Sequence, residues 1–217
     1  MPRKGSLARE FPILVIVALL VSLFIKTFLV QFFFIPSGSM ENTLQINDRV
    51  AVNKLPIISR NIHRGDVVVF RDPAGWLPGA APVSGGKVAV KIKEGLVAVG
   101  VLPNPAKQYL VKRVIGVAGD KIICCSKNKA LMINGKEAVE GYIYAGNTPS
   151  DMEFSVTVPE GKIWVMGDHR GASADSRYHQ EDINKGFVPL EKVTGRVVGI
   201  IWPFKNAGLV PSQNPIK

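Results

Sequence analysis

Cysteine is almost absent from this 217-residue chain: there are two, Cys124 and Cys125, and they are neighbours. No C-x-x-C spacing occurs, so metal-binding or redox centres of that kind have no basis here. A trans peptide holds adjacent Cα atoms about 3.8 Å apart, below the usual disulfide range. An easy bridge between them is therefore not expected; they read as alternating strand residues, one facing inward and one outward, and their redox state stays open because an extracytoplasmic face permits oxidation. Acidic residues are also scarce, 17 against 27 lysines and arginines, for a net charge of +10. Such a balance suits an anionic partner, either a lipid surface or nucleic acid. Nucleic-acid signatures are missing, however: no zinc-finger spacing, no aromatic ribonucleoprotein pattern, no dense arginine stripe. The basic residues are spread along the chain, which leaves lipid proximity as their use. No internal repeat is visible, and the G-x-S-x-G of a nucleophile elbow is absent.

Long apolar runs are limited to one. After a basic start with Arg3, Lys4 and Arg9, residues 11–30 read FPILVIVALLVSLFIKTFLV. As a helix, 20 residues span roughly 30 Å, the thickness of a bilayer core. Pro12 falls in the first turn, where it is tolerated. Lys26, near the distal end, can snorkel to headgroups. A cleavable signal peptide shares the basic start and apolar run, but this run is long for one and no small-x-small site closes it. The expected organisation is a cytoplasmic tail at 1–10, one transmembrane anchor at 11–30 and an extracytoplasmic domain at 31–217. The basic flank sets that orientation. The apolar 31–35 continues along the interface.

The remainder reads as short strands between turn signals. Strands are expected at 49–52, 67–70, 108–116, 121–125, 154–158, 162–166 and 193–202, with an Asn134-Gly135 hairpin turn. Residues 72–86, rich in Pro and Gly, and the polar 167–180 read as loops. Residues 87–102 fit either a strand or a short amphipathic helix. The tail beyond Pro203 is expected to fray. With little helix outside the anchor, the fold class is all-β, of sandwich or barrel type.

Three stretches carry chemistry. Ile35-Pro36-Ser37-Gly38-Ser39-Met40 puts the Ser39 hydroxyl in a Gly-containing turn at the expected membrane edge. Small residues let a backbone approach closely and aim N–H groups at a ligand, as a serine nucleophile with an oxyanion hole requires. An ordinary turn ending a helix fits the same six residues. Lys112 lies inside an apolar strand run, on the face opposite Arg113. Burial disfavours its charged form and lowers its pKa, which would make it a usable base. A surface lysine on an edge strand is the plainer alternative. The third stretch is Gly167-Asp168-His169-Arg170-Gly171-Ala172-Ser173-Ala174-Asp175-Ser176-Arg177. Asp175 and Arg177 could pair locally. Asp168 and His169 are adjacent, and adjacent residues rarely point correctly for a Ser-His-Asp triad.

Together, in this order, PSGSM after an apolar segment, YLVKRVIGVAGD and GDHRGASADSR resemble the bacterial type I signal peptidases, Ser-Lys endopeptidases of protein secretion. The resemblance covers most of the chain, with 72–107 and the stretch between the last two motifs less alike. It implies that Ser39 is the nucleophile and Lys112 the general base. It also implies an oxyanion hole of the Ser37 hydroxyl and the Ser39 N–H, with Ser173 supporting Lys112. Structural ion pairs would join Asp168 to Arg113 and Asp175 to Arg177, and Ile35 would line shallow apolar substrate pockets. His169 stands where many members carry Asn, which leaves its loop packing open. The implied fold is a coiled-sheet, β-rich catalytic domain with a small β insertion near 121–162. The implied substrates are secretory preproteins cut after small residues at −1 and −3, with no metal or cofactor. Rival readings are a self-cleaving Ser-Lys repressor, a sortase-like transpeptidase and a tethered, non-catalytic β domain. The expected anchor and missing DNA-binding region oppose the first. Cysteines in an apolar strand oppose the second. Alanine substitution at Ser39 and Lys112 separates the third.

Overall fold

In a computed structural model, residues 7–24, 29–55, 61–77 and 108–216 are described. The ambiguous 87–102, the basic start through residue 6 and Lys26 lie outside these residues. The one α-helix described, α1 (Leu7–Phe24), carries Pro12 inside it. Among the described residues, no helix is long and apolar enough to cross a membrane. The expected boundaries shift accordingly. The helix starts four residues before Phe11, and Val30 belongs to a strand, β1 (Val30–Phe34). The reason is pairing: β1 is hydrogen-bonded to β2 (Arg49–Asn53) along its whole length, from Val30 opposite Asn53 to Phe34 opposite Arg49.

The other strands are β3 (Val67–Arg71), β4 (Tyr109–Val117), β5 (Lys121–Cys124), β6 (Met132–Ile133), β7 (Lys136–Glu137) and β8 (Phe154–Thr157). They are followed by β9 (Lys162–Met166), β10 (Val188–Pro189), β11 (Val193–Trp202) and β12 (Gly208–Leu209). The domain after α1 is thus all-β. A large antiparallel sheet runs β1-β2-β11-β3-β4-β9-β10, with β12 added on β11, and a small sheet runs β7-β6-β5-β8. The small sheet occupies 121–157, and Lys162 already opens β9 of the large sheet. Its hairpin turn is Asn134-Gly135, with φ of +52° and +81°, the left-handed geometry that a two-residue loop demands.

Core packing explains the apolar patterns. Val67 to Phe70 form a continuous apolar run because both faces of β3 are covered. Val67 and Val69 pack with Ile35, Met40, Leu44, Val50 and Val52, while Val68 and Phe70 pack with Leu110, Val114 and Val165. A third cluster joins the two sheets, with Ile115, Trp164 and Met166 meeting Ile122, Ile133 and Phe154. There Gly116 must stay small, because a Cβ would press on the Ile122 side chain.

Two expectations are corrected. The tail does not fray. It forms a 3₁₀ turn at Phe204–Asn206 and strand β12, and then runs back across the molecule. Gln213 donates to the Gly65 carbonyl at 3.3 Å, and Val139 to that of Pro215 at 2.7 Å. Backbone groups left open by β11 and two surface loops hold it. Cys124 and Cys125 are joined by a disulfide, with Cα atoms 3.0 Å apart. The opposite expectation assumed a trans peptide, whereas this bond is cis.

Candidate active site

Ser39 lies in a 3₁₀ turn, Gly38–Met40, that follows β1. Apolar anchors hold the turn on both sides. Ile35 before it, and Met40 and Leu44 after it, are buried in one core cluster. Ile35 also exchanges backbone bonds with the next loop, donating to Asp48 at 2.9 Å and accepting from Asn47 at 2.8 Å. The turn closes through Glu41 N–H to Gly38 O at 3.0 Å and Leu44 N–H to Met40 O at 2.8 Å.

Lys112 comes from the middle of β4, opposite Val68 of β3. It is 5% exposed, and its Nζ donates to Ser39 Oγ at 2.6 Å across 73 residues of sequence. Burial pulls its pKa down to about 8; the charges of Asp175 and Asp168 oppose that pull and Arg177 adds to it. At pH 7 roughly one such lysine in ten is neutral, against about one in 2,500 for an unperturbed one.

The turn that opens at Gly167 closes the site. Arg113 is paired with Met166 at the end of β9, so this loop starts beside it. Arg113 holds Asp168 through Nε at 2.8 Å and Nη2 at 2.7 Å, and both side chains are fully buried. Two further donors go to Gly65 O at 2.7 Å and Thr43 Oγ1 at 2.9 Å. The Tyr142 ring lies under the guanidinium at 4.2 Å. Such bidentate geometry satisfies a buried charge that would otherwise be costly. Asp175 holds Arg177 at 2.9 and 3.0 Å and also accepts the Gly167 N–H at 3.0 Å.

Ser173 is buried, and its Oγ has no hydrogen-bond partner among the described residues; it is not bonded to Lys112. It lies against Gly167, where an added Cβ would collide with Ser173 Oγ and the Ser39 carbonyl. Ser37 is extended, with φ −131° and ψ 156°, and exposed; its hydroxyl does not cap the turn. Among the described residues, no group of three or more His, Cys, Asp or Glu side chains could hold a metal ion.

Several contributors are invisible to motif reading. Thr43 Oγ1 donates to Asp168 Oδ2 at 2.5 Å. Arg170 is buried, donating to Gly167 O at 2.9 Å and to Glu140 at 2.6 Å. Tyr142 donates to Glu140 at 2.9 Å. Arg170 alone lies in the third motif, where its place among that motif's charged residues was the available signal. Thr43, Glu140 and Tyr142 gave none.

Residues 8–202 match the family described as "Signal peptidase, peptidase S26". The chain belongs to this family. It is accordingly an enzyme, a serine endopeptidase. The signal peptidase I of Mycobacterium tuberculosis (strain ATCC 25618 / H37Rv) is 38% identical over 234 residues, covering 99% of this chain and 79% of the relative. The probable signal peptidase I of Mycobacterium leprae (strain TN) is 35% identical, covering 98% and 82%. A crystal structure of a signal peptidase I from Enterococcus faecalis V583 is 24% identical, with a TM-score of 0.38, covering 63% of this chain and 96% of that one.

Proposed function

We propose that this signal peptidase uses a Ser39–Lys112 dyad, held at the surface of a membrane, to remove N-terminal signal peptides from secretory preproteins. The 2.6 Å contact between Lys112 Nζ and Ser39 Oγ carries the reading. Burial makes the lysine a base near neutral pH. Neutral Lys112 takes the Ser39 proton as Oγ attacks the scissile carbonyl carbon. The oxyanion rests on the Ser39 N–H and the Ser37 hydroxyl. Lys112 then gives the proton to the departing amine, leaving an acyl-enzyme on Ser39. A water deprotonated by Lys112 attacks the ester, and Ser39 is restored. Ser173, whose buried hydroxyl has no partner while Lys112 is on Ser39, is free to receive Lys112 once the lysine leaves Ser39 Oγ. The Arg113–Asp168 and Arg177–Asp175 pairs hold the walls. Ile35, beside the turn, helps line pockets that admit small residues at −1 and −3.

Apolar exposure supports the membrane reading. On α1, Phe11, Ile13, Leu14, Ile16, Val17 and Leu19 are exposed, so the helix is apolar all round, as a lipid-facing segment is. Phe32 and Phe34 on β1, with Trp202, Phe204 and Leu209, add exposed apolar surface. The apolar run that begins in α1 anchors the enzyme, with its basic N-terminal flank in the cytoplasm and the β domain outside.

The test is cleavage of a preprotein with an Ala-x-Ala site by wild type, Ser39→Ala and Lys112→Ala, in detergent. Wild type cuts at that site, and both variants are inactive with unchanged circular dichroism. Folded variants that cut as fast as wild type would end the dyad assignment.

A further inference from the structure

The turn that carries Ser39 is gripped from outside at successive residues. Thr43 meets Asp168 and Arg113. Asn42 Nδ2 donates to the carbonyls of Tyr142 and Ile143 at 3.0 and 3.4 Å. His169 grips it twice. Its backbone N–H donates to the Ser39 carbonyl at 3.2 Å, and its ring Nδ1 lies 3.0 Å from Glu41 Oε2. The two grips flank Met40.

The ring itself is fixed. Tyr144 stacks on it with centroids 4.1 Å apart and planes 18° apart, and the Tyr144 N–H donates to Asp168 O at 2.9 Å. Glu41 is fixed from its other side, because its carboxyl folds over Gly38; a Cβ on Gly38 would meet Glu41 Cδ at 2.8 Å. The two side chains are 21% and 25% exposed, so their interaction is less screened than one at a free surface. The ring bonds Glu41 and neither Ser39 Oγ nor Lys112 Nζ, so His169 acts through the turn and not on the reacting atoms.

We propose that Glu41 and His169 form a positioning pair that holds the Ser39 turn at the height where Oγ meets Lys112. This rests on Ser39 being the nucleophile. Neither side chain belongs to a core cluster, and the anchors that fold the turn, Met40 and Leu44, remain when the pair is removed. Loss of the pair therefore leaves the fold in place and frees the turn to drift. Small displacements of a reacting atom carry large rate penalties.

The experiment measures kcat and KM on an Ala-x-Ala preprotein with the full chain in detergent, alongside thermal unfolding. The variants are Glu41→Ala, His169→Ala, their double, Glu41→Gln and His169→Asn. Each single alanine variant lowers kcat about tenfold with KM within about twofold, and the double is no slower than the slower single. Glu41→Gln and His169→Asn, which can still hydrogen-bond, recover part of the loss. Unchanged kcat, a loss confined to KM, or losses that multiply in the double would overturn the proposal. Should an alanine variant fail to fold, the near-isosteric Glu41→Gln decides alone: kcat below wild type supports the pair, and equal kcat ends it. Ser39→Ala and Lys112→Ala are run beside them. If those two still cut, the dyad reading fails and takes the pair with it. If they are inactive while the pair variants match wild type, only the pair proposal fails.

Discussion

Lys112 is the residue on which most depends. A lysine in the middle of a strand between Val111 and Arg113 gains nothing from burial unless its neutral form is useful. Its pKa of about 8 gives the sign of a pH prediction. The neutral, basic form grows as pH rises through about 8 and saturates above it. For the free enzyme, kcat/KM should therefore rise tenfold per pH unit below that point and level off beyond it. A series from pH 6 to 10 on one preprotein checks this; a midpoint near that of an ordinary lysine would mean that Lys112 is not the buried base. Lys112 was legible in the sequence because a charge inside an apolar run is a local contradiction. Glu41 was not legible as its turn's fastener, since a glutamate in a polar loop contradicts nothing until its partner, 128 residues away, is brought to it.

At the scale of elements, the site is a meeting of three: the turn after β1, the middle of β4 and the loop after β9. Arg113 ties them, reaching Asp168, Gly65 and Thr43 at once. Arg113→Ala leaves the Asp168 carboxylate buried without its charge partner, a loss of about 3–5 kcal/mol. Urea unfolding should show that loss as a lower midpoint with an unchanged slope. A stability loss of less than about 1 kcal/mol would mean that solvent or other donors reach Asp168. Strands with clear alternation or continuous apolar runs, such as β3, β4 and β11, could be read directly. The two-residue strands β10 and β12 could not, because at that length pairing with a neighbour, not residue preference, makes them strands. The expected anchor at 11–30 runs into β1 for the same reason: Leu29 and Val30 continue the apolar run, but β2 pairs with Val30–Phe34 and makes it an edge strand.

At the scale of the whole molecule, the tail behaves as a strap. It leaves β12, passes Gly65 and reaches Val139 beside the small sheet. Gly65 accommodates it with φ +86° and no side chain; a Cβ there would strike the Gln213 backbone. Deleting residues 210–217 removes these bonds and the packing of Ile216 on the core between the sheets. The deletion should lower the thermal midpoint by several degrees, the shift that roughly 1–2 kcal/mol produces in a domain of this size. Differential scanning calorimetry measures it, and an unchanged midpoint would return the tail to the status of a loose end.

The order of the three motifs, the excess of positive charge, the strand periods and the one long apolar run are properties of neighbours in the chain. They sufficed for the β class, because alternation is a local signal, and for singling out Ser39 and Lys112 as candidates through the order of the motifs and an out-of-place charge. Bringing Lys112 Nζ to Ser39 Oγ, seating Gly167 where no side chain fits, and closing His169 on Glu41 each depend on residues far apart in sequence. Strand pairing decides those contacts. β4 sits between β3 and β9, and that register, stabilised by core packing on both faces, sets which distant groups come within a hydrogen bond of one another.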